Sequence, residues 1–192
     1  RHFYRDSLQV MKIRGNVIDD VLAFSFIKHD SKNEPIANTN RLEIDFIVDE
    51  LLRLKSENFN GTVGIITPHT NQQKLIMETV NSIPERDWIY DNLRLKIMTF
   101  DTCQGDERDV VYYSMVANPV SDRLWGIFVK DLDNVDVEED GNIKAQRLNV
   151  GFSRAKERMH FVLSKPLDQY HGSIGGALRH YWEERRVAQQ EP

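Results

Sequence analysis

Two segments about forty residues apart carry residue types suited to the handling of phosphate groups. The first, at 97–108, reads Ile-Met-Thr-Phe-Asp-Thr-Cys-Gln-Gly-Asp-Glu-Arg, and its Gly105 permits a close approach of backbone to a ligand. The second, at 146–158, reads Gln-Arg-Leu-Asn-Val-Gly-Phe-Ser-Arg-Ala-Lys-Glu-Arg and contains Arg154. A guanidinium is planar and always charged, which suits it to stabilising the charge that spreads over a γ-phosphate during transfer.

A third segment, at 65–73, reads Ile-Ile-Thr-Pro-His-Thr-Asn-Gln-Gln. A threonine hydroxyl and the free amides at the start of a helix are suited to holding a nucleic-acid backbone phosphate. Thr67 and Pro68 are therefore candidates for that contact. The alternative is a buried strand followed by a capped helix, and this segment alone does not decide between the two.

The sequence lacks a phosphate-binding loop for a nucleotide. A phosphate-binding loop needs a Gly-Lys-Ser or Gly-Lys-Thr triplet, which occurs nowhere in the chain, and the glycine-rich 172–176 has no lysine. The run 44–50 resembles a Walker B strand ending in Asp-Glu, but its apolar residues fall at helical spacing. Asn40 and Glu43 also stand where a capping box would begin a helix. We therefore predict an amphipathic helix over 42–54.

The segment 146–158 is similar to motif VI of superfamily 1 helicases, which lies in the second RecA-like domain of those motors. Its core, Leu-Asn-Val-Gly-Phe-Ser-Arg-Ala-Lys at 148–156, follows the family pattern closely. The resemblance places Arg154 at the position of the arginine finger. The alternative for Arg154 is a solvated arginine at the end of a helix.

The segment Thr-Phe-Asp-Thr-Cys-Gln-Gly-Asp-Glu at 99–107 resembles motif V of the same family. The resemblance implies that Gln104, Gly105 and Glu107 lie at the nucleotide side of the cleft, and that Thr99 contacts a nucleic-acid phosphate. The alternative for the polar residues of this segment is a capping box on a short helix.

Two further segments extend the resemblance. The segment 65–73 is similar to the family's Ile-Thr-Pro-Tyr-x-x-Gln element, with His69 in place of the tyrosine. The segment Asn-Arg-Leu-Glu at 40–43 resembles the Asn-Arg-x-Glu-Ala element of the branch that includes the nonsense-mediated decay helicase. In that branch the arginine reaches the γ-phosphate, which makes Arg41 a second candidate at the triphosphate.

The resemblance implies the C-terminal motor domain of an ATP-dependent DNA or RNA helicase or translocase. ATP and Mg²⁺ would be bound mainly by an N-terminal RecA-like domain, so we expect the isolated chain to have no ATPase activity. The other expected partner is single-stranded nucleic acid, and no membrane partner is implied. Two alternatives remain open: a non-catalytic RecA-like binding module, and a translocase subunit of a restriction or repair system.

The composition fits one domain. The chain has 192 residues, 40% of them hydrophobic and 29% charged, which is enough for one full core. No apolar run approaches a membrane span, and the single cysteine, Cys103, fits a reducing cytoplasmic or nuclear compartment. The net charge of −5 gives no support for nucleic-acid binding, so such binding would need a local groove. The chain begins at Arg1 without a methionine, which suggests a piece of a longer protein.

Strands alternate with helices along the chain, which predicts an α/β fold with a parallel sheet. The resemblance implies that this sheet is a RecA-like parallel β-sheet flanked by helices, without the phosphate loop. The predicted strands are 21–27, 63–66, 93–98, 109–116 and 158–163. The predicted helices are 42–54, 70–80, 144–155 and 174–187. Thr70 and Gln73 are predicted to cap the second helix, and Pro84 to end it.

The expected domain organisation is simple. Residues 1–166 form the RecA-like domain, and the acidic stretch 120–141 is an exposed insertion within it. A C-terminal helix and tail follow over 167–192.

Overall fold

The computed structural model describes residues 22–27, 34, 36–116, 138–139, 142–143 and 154–163. The strands are β1 (Leu22–Phe26), β2 (Val63–Thr67), β3 (Lys96–Thr99), β4 (Arg108–Ser114), β5 (Glu138–Glu139), β6 (Asn142–Ile143) and β7 (Ala155–Leu163). The helices are α1 (Arg41–Ser56), α2 (Thr70–Ser82) and α3 (Arg86–Asn92). None of the helices in these ranges is both long and apolar enough to cross a membrane.

A five-stranded sheet with the order β1–β7–β4–β2–β3 forms the centre of the fold. Each of its pairings is parallel, and parallel neighbours need a crossover connection, usually a helix. Helix α1 connects β1 to β2, and α2 with α3 connects β2 to β3. The predicted RecA-like parallel sheet flanked by helices is confirmed. Strands β5 and β6 pair antiparallel in a separate ribbon, with β5 inside the predicted insertion at 120–141 and β6 just after its end.

Helix α1 confirms the prediction over 42–54, extended by one or two residues at each end. The Asn40 side chain accepts a hydrogen bond from the Glu43 amide at 3.3 Å, as a capping box requires. The apolar face, with Ile44 and Ile47 completely buried, packs into the core. The Walker B-like run is therefore part of a helix. Its Glu50 carboxylate accepts hydrogen bonds from the arginine one turn later and from a tyrosine of β4.

The predicted capping box of the second helix is wrong. Helix α2 starts at Thr70, with His69 as its N-cap and no side-chain cap hydrogen bond. Thr70 already lies inside the first turn, and Gln73 uses its side-chain amide differently, since Nε2 donates to the Ile97 carbonyl of β3 at 2.9 Å. This hydrogen bond connects α2 to β3, the edge strand of the sheet.

The chain after α2 also differs from the prediction. Pro84 does follow the end of α2, but a short helix, α3, begins two residues later and buries Ile89 completely. Strand β7 begins at Ala155, so this residue is not in the helix predicted over 144–155. Arg154 lies in a turn before that strand, and residues 144–153, like the helix predicted over 174–187, lie outside the described residues.

A buried polar network fixes the starts of α1 and α2 against the end of β4. The Glu43 carboxylate accepts hydrogen bonds from Ser114 Oγ at 2.7 Å, the Val116 amide at 3.1 Å and Asn40 Nδ2 at 3.2 Å. Gln72 joins the network by accepting from the Asn40 amide and by donating to both the Asn40 carbonyl and Ser114 Oγ. Because buried polar groups must be paired, this network is a rigid joint.

We expect Glu43→Ala to lower the free energy of unfolding by about 2–4 kcal/mol, because it removes the acceptor from donors that stay buried. Urea denaturation of the chain measures this loss. Glu78→Ala, which removes an exposed carboxylate from α2, is the matched control and should change stability by no more than about 0.5 kcal/mol. Equal losses in the two variants would contradict the role of the network.

Candidate functional site

The loop at 99–107 runs from the end of the sheet where the strands finish to the end where they start. It leaves the end of β3 at Thr99, which pairs with Thr67 at the end of β2. It enters the start of β4 at Arg108, whose register partner is Ala155 at the start of β7. We call the end of the sheet where β2 and β3 finish the carboxyl edge, and the end where β4 and β7 start the amino edge. The loop therefore connects the two edges.

The first half of the loop is a tight turn. The Thr99 carbonyl accepts hydrogen bonds from the Thr102 and Cys103 amides, both at 3.1 Å, and Thr102 Oγ1 accepts from the Thr99 amide at 2.9 Å. The Cys103 side chain is completely buried, and burial raises the pKa of its thiol to about 11. The thiol is therefore protonated at neutral pH, as expected of a packing residue.

Turns, not a helix, follow β3, so the alternative of a capped short helix at 99–107 is not found. The side chain of Gln104 is exposed, like that of Glu107. Gly105 between them has a φ of +80°, a conformation that favours glycine, and nothing lies within 4 Å of where a Cβ would stand. This stretch therefore offers open backbone surface at which a ligand can approach.

Arg154 lies against the far end of this loop. The Arg108 amide donates to the Arg154 carbonyl at 2.9 Å, which continues the pairing of β4 with β7. Two residues further along, Lys156 Nζ lies 3.6 Å from a carboxylate oxygen of Glu107. The two segments that the sequence separates by about forty residues thus meet at the amino edge.

Asp106 sits among cations at this edge. Lys96 Nζ lies 2.6 Å from Asp106 Oδ1, and an Arg108 guanidinium nitrogen lies 3.4 Å from the same oxygen. The Lys96 hydrogen bond, reinforced by the charges of Lys96, Arg108 and Arg154, lowers the pKa of the Asp106 carboxyl below its ordinary value. The carboxylate is therefore charged at neutral pH.

The carboxyl edge presents a different surface. Thr67, Pro68 and Thr99 are all buried. Thr67 Oγ1 accepts the His69 amide at 3.5 Å, so the hydroxyl faces the turn that leads into α2. Burial lowers the pKa of His69, which is neutral at pH 7. The exposed polar side chains at this edge belong instead to Thr70, Asn71, Asp101 and Thr102.

The structure does not bring Arg41 and Arg154 together. Arg41 is the exposed first residue of α1, and the network around Glu43 ties that end of the helix to Ser114 at the end of β4. Arg154 stands where β4 begins. The six residue steps between Arg108 and Ser114 correspond to roughly 20 Å along the strand. The two arginines therefore occupy opposite edges of the sheet.

Sequence reasoning missed the cluster of Lys96, Asp106 and Arg108. Asp106 is within the predicted motif and Arg108 follows it, and the run of charged residues Asp-Glu-Arg at 106–108 is a signal that could have identified them. Lys96 comes ten residues earlier than Asp106, and only the return of the loop along β3 brings the two charges together. No pattern in the sequence marks that contact.

The chain belongs to the AAA domain family (AAA_12), whose match covers residues 17–165 and thus more than half of the sequence. The match includes all four segments that carry the resemblance, at 40–43, 65–73, 99–107 and 146–158. Among solved structures, the chain is similar to the C-terminal domain of a possible DNA helicase from Lactobacillus plantarum WCFS1. That similarity has a TM-score of 0.42 and 14% sequence identity over 81% of this chain and 77% of the other.

Gly105→Ala should lower the free energy of unfolding by about 1–2 kcal/mol, because alanine is strained at this positive φ although its Cβ meets no neighbour. Thermal or urea unfolding of the chain measures the effect. Gln104→Ala, at the adjacent exposed position, should be close to neutral. If Gly105→Ala were as stable as Gln104→Ala, the left-handed conformation at this position would be wrong.

Proposed function

We propose that this chain is the C-terminal motor domain of a superfamily 1 helicase or translocase that hydrolyses ATP. The observation that carries the proposal is the meeting of Arg154 with the 99–107 loop at the amino edge. Membership of the AAA domain family supports the proposal. The triphosphate and its Mg²⁺ would be bound mainly by an N-terminal RecA-like domain, because this sequence has no Gly-Lys-Ser/Thr loop.

In this proposal Arg154 is the arginine finger. Its backbone is held at the start of β7 by the bond to the Arg108 amide, and its side chain is half-buried beside the loop. A guanidinium fixed there would donate to the γ-phosphate oxygens as negative charge spreads over them, a contribution of about 10³ to 10⁵ in rate. The backbone at Gly105 leaves room for the nucleotide, with Gln104 and Glu107 exposed on either side.

The carboxyl edge would hold single-stranded nucleic acid. Because Thr67 and Pro68 are buried, we infer that they shape the turn into α2, as Thr99 shapes the turn after β3. Direct phosphate contacts would then come from the exposed hydroxyl and amide side chains at that edge, those of Thr70, Asn71 and Thr102, and from Arg41. This revises the role of Arg41, which the resemblance assigns to the triphosphate.

One loop joins the two proposed sites. Its first residue, Thr99, belongs to the carboxyl edge, and its last, Glu107, faces Lys156 at the amino edge. A shift of the loop when the two motor domains close around ATP would therefore reach the nucleic-acid edge. This is how hydrolysis would be coupled to stepping along the strand.

Arg154→Ala in the complete protein should reduce ATP turnover more than a hundredfold while ATP binding survives, because the transition-state charge loses its guanidinium. Steady-state ATPase rates and nucleotide-binding titrations measure the two quantities. Arg86→Ala, which removes an exposed arginine of α3, is the control and should leave turnover unchanged. Turnover that is indifferent to Arg154 would favour the alternative of a non-catalytic binding module.

Arg41→Gln distinguishes the two roles proposed for that arginine. At the carboxyl edge, the loss of one cation should weaken single-strand binding and reduce the slope of log affinity against log salt by about one phosphate contact. Fluorescence anisotropy at several salt concentrations measures this slope. A hundredfold loss of turnover at saturating nucleic acid, with unchanged strand affinity, would return Arg41 to the triphosphate.

A further inference from the structure

A side chain of α2 helps to cap α1. In a capping box, the side chain of the third helical residue bonds to the backbone amide of its own N-cap residue. Gln72 is the third residue of α2, but its Oε1 accepts from the backbone amide of Asn40, the N-cap residue of α1, at 2.9 Å. The third residue of α1, Glu43, accepts instead from Ser114 and Val116 at the end of β4. The starts of the two helices are therefore joined by one shared cap.

The peptide unit between Asn40 and Arg41 is held at both of its polar groups. Gln72 Nε2 donates to the Asn40 carbonyl at 3.1 Å, and the Arg41 amide donates to the Glu34 carboxylate. A peptide unit is planar and includes the Cα atoms of both of its residues. Bonds to its oxygen and to its N–H therefore fix the Arg41 Cα, from which the side chain extends.

These contacts place Arg41 beside the first turn of α2. Asn71 Nδ2 donates to the Ala37 carbonyl at 3.0 Å, within the turn that precedes α1. The side chains of Asn71 and Arg41 are exposed, whereas Gln72 is completely buried. A strand bound at the carboxyl edge can contact the exposed residues but not Gln72. Any effect of Gln72 on strand binding must therefore pass through the backbone that it holds.

We propose that Gln72 is a positioning residue for nucleic-acid binding that acts through Arg41. Its amide sets the backbone of Arg41 relative to α2, so that the guanidinium and the exposed side chains at the start of α2 contact phosphates of the same strand. An arginine side chain loses conformational freedom when it binds, and a backbone that is already fixed keeps that cost low. The inference rests on the proposed role of Arg41 at the carboxyl edge.

The test is a double-mutant cycle in the complete protein, read out by the anisotropy of a labelled single-stranded oligonucleotide. Gln72→Met keeps an unbranched side chain of similar length and removes the hydrogen bonds to Asn40 and Ser114. It should weaken binding about fivefold at low salt, and the loss should shrink as salt rises, because the weakened contact is with a phosphate. In the Arg41→Gln background it should weaken binding less than about twofold further, since Arg41 is no longer there to be positioned.

The neighbouring glutamine is the matched control. Gln73 lies on the same helix, but its Nε2 donates to the Ile97 carbonyl of β3, not to α1. Gln73→Met should therefore leave strand affinity within about twofold of the unmodified protein and leave its salt dependence unchanged. A general loosening of α2 would instead affect both glutamine variants alike.

A milder variant keeps the test decisive if Gln72→Met unfolds the protein. Ser114→Ala removes the hydroxyl that accepts from Gln72 Nε2 at 2.9 Å but leaves the bonds from Gln72 to Asn40 in place. It should weaken strand binding about two- to threefold, and only when Arg41 is present. Unchanged strand binding in Ser114→Ala, with Gln72→Met unable to fold, would overturn the positioning role.

The remaining outcomes separate the two claims. An equal fold-loss from Gln72→Met with and without Arg41, or a loss that is the same at every salt concentration, would overturn the positioning role and leave Arg41 as a phosphate contact. Normal binding by Gln72→Met would do the same. Unchanged affinity and salt slope in Arg41→Gln alone would instead overturn the proposed role of Arg41 on which the inference rests.

Discussion

The parallel pairing of β4 with β7 is the constraint on which the site depends. The bond from the Arg108 amide to the Arg154 carbonyl carries that pairing one residue beyond the start of β7, so the backbone fixes where the candidate finger begins. A flexible arginine side chain loses much of its freedom when it is ordered, and the cost falls if its backbone is already placed. The sheet therefore fixes the backbone of Arg154, and only the torsion angles of its side chain remain to be ordered.

The 99–107 loop connects the amino edge, where Arg154 lies, with the carboxyl edge of the sheet. An ordinary link between parallel strands is a helix on one face of the sheet, whereas this loop passes along the edge strand β3 and returns beside it. Gly105 allows the sharp reversal, and the charges of Lys96, Asp106 and Arg108 hold it. At the carboxyl edge the network around Glu43 keeps the starts of α1 and α2 rigid. A shift of the loop would therefore change its position relative to these helix starts.

Much of the fold could be predicted from the sequence, because apolar period and capping residues act locally. The Asn40–Glu43 box and the buried face of α1 were enough to reject a Walker B strand at 44–50. The predictions failed where tertiary contacts override local preference: Gln73 bonds to β3 instead of capping its own helix. The site was predictable only in part. Spacing suggested Arg154 and Gly105, but the contact of Lys96 with Asp106 depends on the path of the loop back along β3, which no local pattern encodes.

The account predicts a definite contact that can be observed directly. The measurement is a structure of the complete protein with ADP, Mg²⁺ and a fluoroaluminate that mimics the transferring phosphoryl group. We expect the Arg154 guanidinium within about 3 Å of the fluoride ligands, with Arg41 on the opposite edge of the sheet. An Arg154 side chain that faces away from the shared cleft, with the analogue fully bound, would contradict the account.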